Sequence, residues 1–166
     1  TQLTLRTFHA GGTASNIAAN ATIVAKNNCR VEFDELRTVD AVDETGEAVK
    51  IVVGRLGEVR FIDQNTGIAL STQSLPYGST LFVADKTIVE KGTMIAKWDP
   101  FNAVIITETA GRVQFESVIE GITYRVDSDE STGLREVIII ESKDKTKIPS
   151  AHIVSEDGEV LRTYNL

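Results

Sequence analysis

The feature that most constrains this chain is a recurring pattern: a run rich in β-branched and aromatic residues, a cluster of Asp, Asn, Thr and Gly, then another such run. VEFDELRTVDAV and AVKIVV flank DETG (Asp43 to Gly46), and EVRFID and IALSTQSL flank DQNTG (Asp63 to Gly67). Further on, ITYRVD and LREVIIIES flank DSDESTG, and AHIVS and EVLRTYNL flank EDG. Asp, Asn and Gly tolerate the positive φ of tight turns, so each pair of runs predicts a β-hairpin. Turn signals returning every ~10–20 residues favour an all-β fold, a sandwich or barrel of short strands.

A chain of 166 residues has room for one domain or two small ones, with enough apolar side chains for a core. The net charge of −7 argues against a nucleic-acid surface on this piece taken alone, since phosphate binding needs clustered Lys and Arg. Docking on a basic protein partner stays open. Cys29 is the single cysteine, which excludes an internal disulfide and fits a cytoplasmic setting. No apolar run approaches the ~20 residues of a membrane span, so no membrane partner is expected. The first residue is Thr1 rather than Met, and the expectation is an internal piece of a longer chain.

Two stretches depart from the β pattern. Residues 13–28, TASNIAANATIVAKNN, carry many small side chains and are expected to form a short helix or loop leading into the first strand. SKDKTKIPS (Ser142 to Ser150) is polar and lysine-rich and predicts a solvated loop.

The β part offers little chemistry. GxSxG, HExxH, P-loop, GxGxxG and CxxC patterns are all missing from the sequence. His152 sits in an apolar run and is expected to be a half-buried structural histidine. A zinc site needs several His or Cys ligands, which two histidines and one cysteine do not supply. The turn acids Asp43, Asp63, Asp129 and Asp157 are expected to cap backbone amides. Cys29 has no paired His and reads as inert. Trp98, beside Asp99-Pro100, reads as a packing anchor. LFVADKTIVEKGTMIAKWDP has the rhythm of a hammerhead, turning at Asp85-Lys86 and again at Lys91-Gly92, and VIITETAGRVQF follows with Gly111 at a second tight crossing. This segment resembles the barrel-sandwich hybrid folds of biotinyl and lipoyl carriers. Their modifiable lysine, at the tip of an exposed hairpin, has no counterpart: Met94 is followed by Ile95, and Lys97 lies inside a strand-like run. A non-catalytic carrier-like or interaction module is the alternative reading.

The opening TQLTLRTFHAGG has helical spacing instead. At about 100° per residue, Arg6 falls near 100° and His9 near 40° from Leu5, so the three share a face. An apolar side chain, a guanidinium and an imidazole together suit a ligand with a flat apolar part and an anionic part, such as a nucleoside triphosphate.

These twelve residues resemble the trigger loop of the beta-prime subunit of bacterial multisubunit RNA polymerase, whose motif Gly-Thr-Gln-Leu-Thr-Met/Leu-Arg-Thr-Phe-His-x-Gly-Gly is matched from Thr1 to Gly12. In several lineages the tip of that loop carries an insertion of tandem sandwich-barrel hybrid modules. Residues from about 13 onward are similar to it, notably PYGSTLFVADKTIVEKGTMIAKWDP and TETAGRVQF. The resemblance implies that Leu5 packs on the base of the incoming nucleotide, that Arg6 and His9 approach its triphosphate, and that Gln2 and Thr4 make lesser contacts. His9 could position the triphosphate, stabilise the leaving pyrophosphate or donate a proton. Gly11 and Gly12 would let a gating segment change conformation. The intact subunit would carry Mg2+ and Zn2+, and would work with alpha, beta, omega and sigma subunits on a DNA template and RNA, at the nucleoid. The fragment holds no Asp-x-Asp-x-Asp magnesium motif, so no metal site and no catalysis of its own are expected. Any approach to downstream DNA would use a local basic patch such as Lys143 to Lys147. The expected organisation is a trigger segment (1–12), a linker (13–24), a first hybrid module (25–115) and a second, incomplete one (116–166).

Overall fold

The computed structural model describes residues 21–166, and those residues are all-β: fourteen strands and no helix. The trigger-like segment 1–12, with Gln2, Leu5, Arg6 and His9, lies outside the described residues. The chain divides into two compact units, one running through Ile106 and the other from Thr107 to Leu166.

The first unit contains β1 (Thr22–Val24), β2 (Cys29–Asp34), β3 (Thr38–Val42), β4 (Ala48–Val52), β5 (Glu58–Ile62), β6 (Ala69–Ser74), β7 (Thr80–Leu81), β8 (Ile88–Val89) and β9 (Met94–Lys97). They form two open antiparallel sheets, ordered β1-β9-β7-β4-β3 and β6-β5-β2-β8. The hairpins expected at DETG and DQNTG are present as β3–β4 and β5–β6. Period-two burial drives the packing. Val31 on β2, Val59 and Phe61 on β5, Val52 on β4, Leu81 on β7 and Ile95 on β9 all enter one core cluster, against which Trp98 packs. Alternating apolar side chains of two facing sheets give a sandwich.

Inside this unit the hammerhead expectation holds. The chain leaves the five-stranded sheet after β7 and turns at Asp85-Lys86, where Lys86 has φ +61. It then pairs β8 with β2 in the other sheet, turns again at Gly92 (φ +93), and returns as β9 beside β7. Residues 76–98 thereby place β7 and β9 inside the five-stranded sheet and β8 on the edge of the four-stranded one. One local expectation is corrected. Thr22-Ile23-Val24, within the stretch read as helix or loop, is strand β1 paired with β9, because three consecutive β-branched residues favour a pleated, half-buried site over a helix turn.

The second unit contains β10 (Arg112–Glu116), β11 (Tyr124–Ser128), β12 (Arg135–Ile139), β13 (Ser150–Val154) and β14 (Val160–Asn165). β11 and β12 form the hairpin expected around DSDESTG, and β13 and β14 the one around EDG. β10 joins β13 on the outer side of a three-stranded sheet ordered β10-β13-β14. Gly111 has no room for a side chain: a Cβ there would lie 2.6 Å from the Val154 carbonyl oxygen. SKDKTKIP, residues 142–149, is a loop that runs into β13, and its Asp144 accepts from the Thr146 N–H and hydroxyl.

Candidate functional site

The predicted nucleotide-facing residues Gln2, Leu5, Arg6 and His9 lie outside the described residues. The first described stretch, residues 21–25, is firmly held. Ala21, Ile23 and Ala25 are each buried, at 6%, 3% and 1% exposure. The Ala21 carbonyl accepts from the Trp98 N–H at 3.0 Å, and Ala25 exchanges bonds with the far end of β9, donating to the Thr93 carbonyl (2.9 Å) and accepting from the Gly92 N–H (2.7 Å). A pull on residue 21 is therefore carried into the five-stranded sheet by the strand that closes the hammerhead.

His152 is the one described histidine with a polar constellation. It lies on β13, with Thr163 on β14 directly opposite and Glu116 on β10 diagonal to it. Its Nε2 lies 2.6 Å from Glu116 Oε2 and its Nδ1 2.8 Å from Thr163 Oγ1. With the proton on Nε2, the ring donates to the carboxylate while Nδ1 accepts the threonine O–H. Ser150 Oγ approaches the same Nε2 at 3.5 Å. Ser, His and Glu are together, but serine and carboxylate compete for one ring nitrogen, so no relay from hydroxyl through imidazole to carboxylate can form. The imidazole, 15% exposed, ties three strands together, as expected of a structural histidine.

Cys29 is 1% exposed, and burial raises its thiol pKa, which disfavours the thiolate. Lys97, the last residue of β9, is paired with Thr22 and Thr80 rather than presented at a hairpin tip. The turn acids do cap. Asp43 accepts from the Thr45 hydroxyl and from the N–H groups of Thr45 and Glu47; the Thr45 hydroxyl bond, then the Glu47 amide, hold its carboxyl below the ordinary 3.8. Asp63 is lowered chiefly by the Thr66 amide and Asp129 by the Ser131 hydroxyl. At the last hairpin the expectation moves by two residues. Ser155, not Asp157, occupies the capping position: its N–H donates to the Glu159 carbonyl and its Oγ accepts from the Glu159 N–H at 3.1 Å. The backbone bonds match those of Asp43 with Glu47, so position in the turn decides the cap, not residue type.

Among the described residues no group of three His, Cys, Asp or Glu side chains could hold a metal ion, and no helix is long and apolar enough to cross a membrane. What fold and geometry define is two antiparallel β units whose polar side chains are spent on turns and strand ties.

No protein-family model matches the chain. Curated relatives do. The chain is 76% identical over 166 residues to the beta' subunit of DNA-directed RNA polymerase of Bacteroides fragilis, 56% over 167 residues to that of Parabacteroides distasonis, and 45% over 166 residues to that of Flavobacterium johnsoniae. Each match takes in 100% of this chain and 12% of the relative's length. The chain belongs to the family of bacterial RNA polymerase beta' subunits, as one segment homologous from end to end.

Proposed function

We propose that this chain is the part of a beta' subunit in which the trigger loop passes into a β insertion, and that it serves DNA-templated RNA synthesis by the whole polymerase. The observation that carries the reading is TQLTLRTFHAGG at residues 1–12, leading into a β region that matches beta' subunits throughout. Leu5 would cover the base of the incoming ribonucleoside triphosphate, Arg6 and His9 would meet its phosphates, and Gln2 would make a lesser contact. The Mg2+ that supports nucleotidyl transfer and the Zn2+ of the intact subunit find no donor set among the described residues, so other parts of beta' would hold them. The alpha, beta, omega and sigma subunits, template DNA and RNA are the partners this reading implies, in the cytoplasm. The β units, inactive alone, would act by position. Contacts they make in only one state of the loop shift that equilibrium by their differential free energy, and about 1.4 kcal/mol changes a population ratio tenfold. Pausing, transcript cleavage and fidelity are the properties such a bias would alter.

The direct test is His9→Ala in the intact polymerase, with single-nucleotide addition measured at saturating substrate. A fall of about 10²-fold or more is expected if His9 faces the triphosphate. An unchanged rate would remove residues 1–12 from the catalytic cycle and leave the chain as an interaction module.

A further inference from the structure

The two units repeat each other strand for strand over part of their length. β2 pairs with β5 as Arg30↔Ile62, Val31↔Phe61, Glu32↔Arg60, Phe33↔Val59 and Asp34↔Glu58. β10 pairs with β13 as Arg112↔Val154, Val113↔Ile153, Gln114↔His152, Phe115↔Ala151 and Glu116↔Ser150. RVEFD and RVQFE thus occupy the same register. The following hairpins also coincide. β5–β6 slips register between Phe61 and Ile62, skipping Leu70, and β13–β14 slips at the equivalent place, between Ile153 and Val154, skipping Leu161. Each repeat leaves its first strand through a non-glycine residue at positive φ, Glu35 at +47° and Ser117 at +55°. A hairpin with an aspartate-capped turn comes next in both, β3–β4 and β11–β12.

What the second unit lacks is anything equivalent to residues 76–98. In the first unit that stretch completes the fold. The Thr87 carbonyl accepts from the Val31 N–H at 2.8 Å, Asp85 Oδ1 accepts from the Phe33 N–H at 2.9 Å, and the Ser79 carbonyl accepts from the Val52 N–H at 2.8 Å. Val31 and Val52 are then 0% exposed and Leu75 is 2%. Their counterparts Val113, Ile139 and Leu166 are 53%, 38% and 38% exposed, and Phe115 is 63%. Ile139 and Leu166 also line an open groove of about 540 Å³.

We infer that this open apolar face, with the outer edge of β10, is the docking site for a hammerhead segment that follows Leu166 in the longer subunit. Its length would match Pro76–Trp98, and it would bring a backbone carbonyl to the Val113 N–H and a turn carboxylate to the Phe115 N–H. The matched residues make up 12% of each relative's length, which leaves further polypeptide in those subunits from which such a segment could come. Exposed strand edges and large apolar faces are normally covered in native proteins, which is the physical demand the segment meets. The inference stands on the repeat and is independent of the role given to His9.

The test compares amide hydrogen exchange in this chain and in the same chain continued by its natural next residues, read on peptides covering Arg112–Glu116. At least tenfold slower exchange in the continued chain is expected, and Phe115→Asp should return it to the rate of the shorter chain while Ile95 stays protected. Equal exchange in the two chains would overturn the inference. So would protection of the shorter chain that rises with its concentration alongside a dimer in sedimentation, because a second copy would then be the occupant.

Discussion

Among the described residues the first unit buries fifteen apolar side chains and the second only two, Ile153 and Val154, although both are built from the same hairpins. Backbone pairing is therefore not what separates them. β2–β5 and β10–β13 have the same register, and an edge strand and a core strand can carry nearly the same residues, RVEFD and RVQFE. The difference lies in the third element. Where residues 76–98 cross between two sheets, alternation becomes a closed core; where no such segment is present, the same alternation leaves Val113 and Phe115 exposed. Hydrogen-bonded strands set the frame, and the crossing segment turns it into a hydrophobic interior.

That contrast can be broken at unequal cost. Ile95→Ala, in the closed core at 0% exposure, should destabilise the first unit by about 3 kcal/mol in chemical denaturation. Gly111→Ala should cost the second unit about 1–3 kcal/mol, since the new Cβ meets the Val154 backbone and cannot be relieved by a side-chain rotation. Val113→Ala should stay within about 0.5 kcal/mol in this chain, against about 2 kcal/mol for Val31→Ala at the equivalent site. Equal losses at Val31 and Val113 would mean that the two faces are covered alike.

The smallest effects belong to the turns. Asp43, Asp63 and Asp129 have carboxyls lowered below 3.8 by hydrogen bonds of the folded turn, so each favours the folded state above its unfolded pKa. That contribution is lost as pH falls through the lower, folded value. Melting temperature should be flat at neutral pH and should begin to drop below about pH 4. Ser155→Asp should raise it by a degree or two, on the scale of a single turn contact, and should add to the acid sensitivity. A fall instead would show that the Ser155 turn is not equivalent to the Asp43 turn.

Much of the fold was legible in the sequence because hairpins are local. A β-branched run, an Asp-to-Gly turn and a second run specify each other within about 15 residues. The hammerhead was legible for the same reason, from Asp85-Lys86 and Lys91-Gly92. The repeat was not. Its likeness is confined to RVEFD and RVQFE, its turns differ in length (DETG against DESTG), and strand register is a long-range property that no local pattern records. Ser155 was passed over because a serine and an aspartate two residues apart cannot be ranked without the turn geometry. The nucleotide-facing residues were legible only as a motif, since a short helix face with Leu, Arg and His specifies chemistry loosely.

The most direct test of the functional reading is a polymerase whose residues 13–166 are replaced by a short Gly-Ser linker, assayed for pause lifetime, transcript cleavage and processive elongation on one template. The expected result is continued nucleotide addition with pause lifetimes changed about tenfold or more, the signature of a positional bias of ~1.4 kcal/mol on a loop that still performs the chemistry. Pausing, cleavage and elongation all equal to those of the intact enzyme would contradict it, and would reduce the two β units to a passenger on the trigger segment.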